Sequence, residues 1–306
     1  WIGCGVMGRW MCQHCMDAGY SATVYSRTAE KCQPLVERGA KLVNTPAKVA
    51  MESDVVFTML GHPADVKEVI DGEDGVLKAL RFGGTIVDMT TSEPNLARIL
   101  AEKARQKQFF LLDAPVSGGD IGAREARLSI MCGGDEGAFN AVFPLLKCMG
   151  QSIHLMGAAG MGQHTKMMNQ ILIASNIIGV AEALLYAKRV GLDLEDTIAA
   201  VSGGAAGSWS LTNYGPKMVN RDFKPGFYVE HFIKDLGIAL EEAKKMKLSL
   251  PGILRLTLAQ SLYHYLSEQG HQRDGIHALI LALEHLSENE CVDLRFFKTE
   301  FVKVTA

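Results

Sequence analysis

The sequence predicts an α/β protein in which an N-terminal doubly wound parallel sheet is followed by an all-α C-terminal domain. Three observations predict it. A glycine-spaced turn joins a strand-like to a helix-like segment at the start, short apolar runs alternate with helical stretches over the first half, and strand-like runs stop after Gly162. The domains are accordingly expected at 1–162 and 163–306.

The opening turn is Gly3-Cys4-Gly5-Val6-Met7-Gly8, entered from Trp1-Ile2 and left through the helix-like Arg9–Ala18. Glycines at these spacings let a backbone turn press against a pyrophosphate, and the helix start offers its unpaired N–H groups to the anion. Such spacings also arise by chance. The order of strand, turn, helix and second strand at Ala22-Thr23-Val24-Tyr25 is what a dinucleotide-binding unit requires, and it places Gly3, Gly5, Val6, Met7 and Gly8 against the cofactor. The second strand ends in Tyr25-Ser26-Arg27-Thr28, with Lys31 one turn further. A NAD site usually has an acid there for the ribose 2′-OH. Two hydroxyls, a guanidinium and an ammonium suit a 2′-phosphate instead, so Ser26, Arg27 and Thr28 favour NADP over NAD. The bland alternative is a solvated helix start.

Buried parallel strands are expected at Asp54–Leu60, Thr85–Met89 and Phe109–Asp113, with helices such as Ala64–Ile70 and Pro94–Gln106 between them. Met59 and Leu60, closing the first of these, are assigned to the cofactor. Thr90-Thr91 close the next, either to touch a nicotinamide or to cap the helix begun near Pro94. Asp113-Ala114-Pro115-Val116-Ser117-Gly118-Gly119 ends a strand at its carboxyl side, where ligands bind in open α/β sheets. Ser117 with the amides of Gly118 and Gly119 makes a cradle for a carboxylate, or a turn with local hydrogen bonds. Ser129–Gly134 and Ser152–Met156 add strands at one side.

After Gly162 the texture changes. One long apolar helical pattern runs from Gln163 to Val190, and Ile238–Lys247, Leu254–Gln269 and Gly275–Leu286 read as further helices. A helix apolar all round is a buried core helix, and it suggests a homo-oligomer. Lys166 lies near its start, with Asn169 and Gln170 at i+3 and i+4 on one face. The positive end of the helix dipole would ease loss of its proton, which suits a general acid or base, although lysines usually face solvent.

The bulk numbers bound the rest. A chain of 306 residues can hold two cores, and a net charge of −3 gives no reason to expect a nucleic acid partner. Seven cysteines without framework spacing fit a reducing compartment, mitochondrial or cytoplasmic. Cys12-Gln13-His14-Cys15 falls inside a helix and reads as packing rather than a redox pair. No stretch is read as a membrane span, and the nine scattered histidines give no metal site. The chain has no initiator methionine and starts two residues before the glycine turn, so an upstream piece of the first strand, with any targeting segment, is expected to be missing. At the other end, Phe296–Ala306, with Arg295, Lys298 and Lys303 among apolar residues, reads as a short amphipathic or mobile tail.

Together these motifs resemble the β-hydroxyacid dehydrogenases, a family with a Rossmann-type cofactor domain that includes 3-hydroxyisobutyrate dehydrogenase, tartronate semialdehyde reductase and the reductases of glyoxylate and succinic semialdehyde. The resemblance runs from Gly3 to about Leu286. It rests on the glycine turn, Thr91, Asp113–Gly119, Leu128-Ser129-Ile130-Met131 with Gly133-Gly134, Gly160–Gln170 and Lys234-Asp235-Leu236. It implies that Lys166 donates the proton, that Ser117, Gly118 and Gly119 hold a substrate carboxylate, and that Asn169 and Gln170 order the site. It further implies that Thr91 and Lys234 touch the cofactor, while Phe227 and Asp235 approach the substrate. Where many members have Asn at position 170 this chain has Gln170 after Asn169, leaving open which amide does the positioning. Ala126-Arg127 replace the Gly-Thr often found before Leu128. Rival readings are a 6-phosphogluconate dehydrogenase or imine reductase on the same architecture, and a cofactor-binding scaffold without catalysis; Lys166 weighs against the last two.

Overall fold

A computed structural model describes residues 1–248 and 253–288. The tail at 296–306 and its neighbour Arg295 lie outside the described residues. The chain divides into two units, Trp1–Lys166 and Met167–Ala306.

In the first unit Ile2 makes parallel bridges to Tyr25 on one side and Thr58 on the other. The chain then forms α1 (Gly8–Asp17), β1 (Thr23–Val24), α2 (Gln33–Val36), β2 (Lys41–Leu42), α3 (Pro46–Met51), β3 (Val55–Thr58), α4 (Pro63–Asp71), β4 (Thr85–Asp88), α5 (Pro94–Gln106) and β5 (Phe110–Asp113). β1 pairs with β2, and β3, β4 and β5 pair in sequence, all parallel. With Ile2 between β1 and β3 the spatial order is β2-β1-Ile2-β3-β4-β5. The winding direction reverses at Ile2, and a crevice at such a reversal is where doubly wound sheets bind nucleotides. Neighbouring strand residues feed two cores: Val56, Ile86 and Leu111 pack into one, and Phe57, Val87 and Leu112 into the other. That is the period-two alternation of a sheet covered on both faces, and it explains why these strands read as continuous apolar runs.

A second sheet follows, of β6 (Val116–Ser117), β7 (Leu128–Cys132) and β8 (Gly150–Leu155), with α6 (Gly119–Arg124) and α7 (Glu136–Lys147) between them. β6 runs antiparallel to β7 and β8 parallel to it, and an antiparallel bridge from Asp113 to Gly133 links the two sheets. Cys12 and Cys15 are both buried on α1, and burial pushes the Cys12 thiol up to about 11, as packing cysteines should behave.

The second unit is helical among the described residues: most of α8 (Met161–Arg189), then α9 (Leu194–Ser202), α10 (Trp209–Val219), α11 (Val229–Lys245), α12 (Ile253–Leu266) and α13 (Leu279–Glu288). Sequence patterning found α8, α12, α13 and the second half of α11, but neither the start of α11 nor α9 and α10, which are capped by Asp193 and Ser208. α8 contains an 18-residue window of mean hydropathy 1.5, long and apolar enough to cross a membrane by length and composition alone, although polar residues such as Asn169, Asn176 and Glu182 interrupt its apolar run. Ala174, Ile177, Ala181 and Leu184 are buried in the unit's core with Phe232, Leu236 and Tyr263, so α8 is a core helix.

That core encloses His277, fully buried and stacked on Tyr214 at 5.0 Å between ring centroids. Its Nε2 donates to the Asp222 carbonyl at 2.7 Å, while Nδ1 is buried with no hydrogen-bond partner. Burial lowers its pKa. A lowered folded pKa means that the unfolded chain binds the proton first as pH falls, so stability is lost below about pH 6.5. Denaturant unfolding of the helical unit should show a midpoint that falls from about pH 7 to about pH 5, with a smaller slope in His277→Gln. Equal slopes in the two proteins would contradict the assignment.

Candidate active site

The glycine turn sits at the reversal of the sheet. Gly3 has φ +94°, and a Cβ there would lie 2.2 Å from the Met59 carbonyl oxygen; one on Gly8 would lie 2.0 Å from the Gly3 carbonyl oxygen. Both positions need glycine for the turn to close on β3 and α1. Gly5 is different, because no atom stands within 4 Å of where its Cβ would be. No side chain caps the start of α1. An open backbone surface before an uncapped helix start fits the pyrophosphate of a dinucleotide.

At the carboxyl end of β1, Ser26 is half-buried and Arg27 exposed. Arg27 donates to Asp65 Oδ1 at 2.8 Å, and the other oxygen of Asp65 accepts from the His62 N–H at the start of α4. Asp65 is a residue that sequence reasoning missed, because its partner lies 38 positions away. Tyr25, Ser26, Arg27, Lys41 and Lys48 line an open pocket of about 750 Å³ at these strand ends.

The loops after β3 and β4 are tied together. Thr90 Oγ1 accepts from the Leu60 N–H at 2.9 Å, and Asp88 accepts from the Thr58 hydroxyl at 2.7 Å and the Thr90 N–H at 3.1 Å. Leu60 is thereby bonded to the loop after β4, Met59 donates from its N–H to the Ile2 carbonyl at 2.9 Å, and Thr91 is half-buried between buried Thr90 and Ser92.

Asp113, fully buried at the end of β5, fixes the beginning of α8. Its Oδ1 accepts from the Gly160 N–H at 2.7 Å and its Oδ2 from the Gln163 N–H at 2.8 Å. A Cβ on Gly162 would lie 2.3 Å from the Met131 carbonyl oxygen, and one on Gly133 would lie 2.8 Å from Asp113 Oδ1, so these glycines admit the helix start onto the sheet. Burial pushes the Asp113 carboxyl up to about 6, against the lowering effect of the two N–H donors. One turn on, Lys166 is buried and donates from Nζ to the Val116 carbonyl at 2.8 Å. Val116 precedes Ser117, which is half-buried, followed by Gly118 at φ +131° and Gly119 at φ +64°. α6 begins at Gly119 with no side-chain cap, and nothing stands where a Gly119 Cβ would be. A buried ammonium is thereby held on the peptide that joins Val116 to Ser117, two residues before α6 begins.

In the helical unit, Asn169 Nδ2 donates to Gln170 Oε1 at 2.7 Å, and Gln170 Nε2 donates to Asp235 Oδ2 at 2.6 Å. Lys234 Nζ stands 3.1 Å from Asp235 Oδ1. Gln170 and Asp235 are fully buried, whereas Asn169 is half-buried. Phe227 is half-buried and meets the Phe232 ring edge-on at 5.7 Å. Among the described residues no group of three or more His, Cys, Asp or Glu side chains could hold a metal.

Residues 1–157 match the family model described as the NAD-binding domain of 6-phosphogluconate dehydrogenase. Residues 160–283 match that of the NAD-binding domain of NADP-dependent 3-hydroxyisobutyrate dehydrogenase. The chain is 51% identical over 288 residues to the Arabidopsis thaliana protein named "Probable 3-hydroxyisobutyrate dehydrogenase-like 1, mitochondrial", covering 94% of this chain and 85% of that one. It is 39% identical over 289 residues to the 2-hydroxy-3-oxopropionate reductase of Escherichia coli, covering 94% and 98%. Among solved structures, the 3-hydroxyisobutyrate dehydrogenase of Mycobacterium tuberculosis with L-serine superposes with a TM-score of 0.81 at 29% identity, covering 92% and 97%.

The Asp113 anchor makes a testable demand. A raised folded pKa contributes stability that is fully present below about pH 4 and is lost as pH rises through about 6. Asp113→Asn turns an NH₂ toward one of the two N–H donors, and should lower stability by about 1–3 kcal/mol. It should also remove the wild-type dependence between about pH 4 and 6, as read from denaturant melts across that range. A variant with wild-type stability and the wild-type pH dependence would refute the anchor.

Proposed function

This chain belongs to the β-hydroxyacid dehydrogenases, NAD(P)-dependent enzymes acting on CH–OH groups, and from that premise we propose that it transfers a hydride between NADP(H) and a small carboxylated alcohol or aldehyde. The substrates in view are 3-hydroxyisobutyrate and the semialdehydes of tartronate and succinate, with glyoxylate as the smallest. The molecules that two relatives are named for, and the L-serine in the mycobacterial structure, are all carboxylates bearing an oxygen on the β carbon. The observation that carries the reading is the bond from Lys166 Nζ to the Val116 carbonyl, which sets a buried cation next to Ser117 and the start of α6.

The Ser117 hydroxyl and the N–H groups of Gly118 and Gly119 bind the substrate carboxylate, a role suited to an uncapped helix start. Lys166 turns its ammonium from Val116 to the substrate oxygen, gives it a proton during reduction and takes one back during oxidation, while its charge stabilises the developing alkoxide. The bound nicotinamide supplies the hydride. Gly3, Gly5, Val6, Met7 and Gly8 hold the pyrophosphate, Met59, Leu60 and Thr91 line the cofactor, and Ser26, Arg27 and Thr28 hold the 2′-phosphate. On α8, Gln170 is committed to Asp235, and that bond orients the more accessible Asn169 one turn past Lys166. Asn169 is thus the amide we assign to positioning, with Gln170 behind it. Phe227, Lys234 and Asp235 keep the substrate and cofactor roles that the family resemblance implies. Exposed Met168, Leu172 and Tyr186 along α8, with Val190 just past its end, support a homo-oligomer.

Steady-state assays with NADPH and NADH over this panel of acids test the reading. Turnover should favour NADPH, require the carboxylate, and fall by about 10²–10⁴ in Lys166→Ala. Near-normal kcat in that variant would overturn the proton-transfer role, and a preference for NADH would overturn the assignment of Ser26, Arg27 and Thr28.

A further inference from the structure

Gln163 bonds through its side chain to the loop after β4 and through its backbone to the end of β5. Its side chain is fully buried. Nε2 donates to the Thr90 carbonyl at 2.7 Å, Oε1 accepts from the Ser92 N–H at 2.9 Å, and its backbone N–H is the one held by Asp113. A carbonyl at one residue and an N–H two residues on, both bonded to a single amide, is the pairing of a parallel β-ladder. The carboxamide therefore stands where a neighbouring strand would pair with the extension of β4. Thr91 is the residue enclosed between the two bonds. Lys166 lies three residues along the helix from Gln163, on the same side of α8.

We propose that Gln163 is a positioning residue that couples the cofactor loop to the turn of helix carrying Lys166. The proposal rests on the roles assigned above to Thr91 and Lys166. The hydride-bearing ring is placed by the loop at Thr91 and the proton donor by the first turns of α8, and hydride and proton transfer need both in one geometry. Gln163 fixes the two to each other through one rigid amide, and Asp113 ties that amide's own backbone to β5. Loss of the carboxamide leaves a buried carbonyl and a buried N–H without partners, and the loop is then free to shift relative to the lysine.

The experiment compares wild type, Gln163→Ala and Gln163→Glu. In Gln163→Ala, kcat should fall about 10–100-fold, the scale of a misplacement near 1 Å. Affinity for the whole nicotinamide cofactor, measured by calorimetry, should fall several-fold. Affinity for its adenosine half, 2′,5′-ADP or ADP, should stay unchanged, because that half binds at Gly3–Gly8 and Ser26–Thr28. Gln163→Glu has the same shape but only its neutral form can donate to Thr90 and accept from Ser92. Its kcat relative to wild type should therefore rise as pH is lowered from about 9 to about 5, burial holding the pKa of such an acid high. A residue that only fills space would give a flat ratio.

A flat ratio for Gln163→Glu, equal weakening of whole cofactor and adenosine half, or unchanged kcat and affinity in Gln163→Ala would each overturn the coupling. Absence of wild-type turnover on every acid tested would count against the substrate reading instead, and the paired calorimetry would still decide the coupling.

Discussion

One carboxylate sets the geometry on which the rest depends. Asp113 ends β5 inside the sheet and receives two N–H groups from the start of α8. A helix start buried against a sheet must satisfy its free N–H groups, and a carboxylate there also meets the positive end of the helix dipole. Desolvation nonetheless wins, which is why the carboxyl rises to about 6 rather than falling. The arrangement is therefore maintained at a cost, and the close approach of Gly133 and Gly162 admits no side chain that would relieve it. Its consequence is positional. With the first turn fixed, the next turn carries Lys166 to the Val116 carbonyl and no further, and Gln163 to the loop at Thr90. Three strand ends and one helix thus share a single point of attachment.

How much of this was legible follows from which signals are local. The glycine turn was legible because the close approaches that require Gly3 and Gly8 leave a fixed spacing in the chain. The strands at Val55–Thr58, Thr85–Asp88 and Phe110–Asp113 were legible because burial on both faces makes them continuous apolar runs. β2 was not, since it has two residues and both Lys41 and Leu42 are exposed. β6 was hidden inside a segment that reads as a turn. α9 and α10 were missed because the glycine-rich stretch Gly203–Gly207 between them interrupts the apolar period, so that their caps carry the signal instead.

The site shows the same division. Lys166, Ser117 and the two glycines after it became candidates through their places at a helix start and a strand end. The partners that give them geometry were not, because each lies far along the chain: Lys166 to Val116 spans 50 residues, Gln163 to Thr90 spans 73, and Gln170 to Asp235 spans 65. Gln163 stood inside a motif already noted, yet no local pattern says that a glutamine amide replaces a strand. Asn169 and Gln170 could not be ranked from their order alone; in three dimensions they differ in burial, Gln170 being fully buried on Asp235 and Asn169 half-buried on Gln170.

The proposed choice of cofactor turns on the same kind of argument. Arg27 favours a 2′-phosphate, yet in the structure it faces Asp65, an acid of the kind that would repel one. The pair is exposed on the arginine side, and such pairs contribute about 0–1 kcal/mol. A guanidinium bound to a doubly charged phosphate gains more, through charge-assisted and bidentate hydrogen bonds. Asp65 also does not need Arg27, because the His62 N–H and the start of α4 already hold its other oxygen. Exchange of Asp65 for a phosphate would therefore leave no carboxylate stranded. The proposed preference for NADP rests on that exchange: the Asp65 oxygen that accepts from Arg27 would give way to the 2′-phosphate, while the other stays on the His62 N–H.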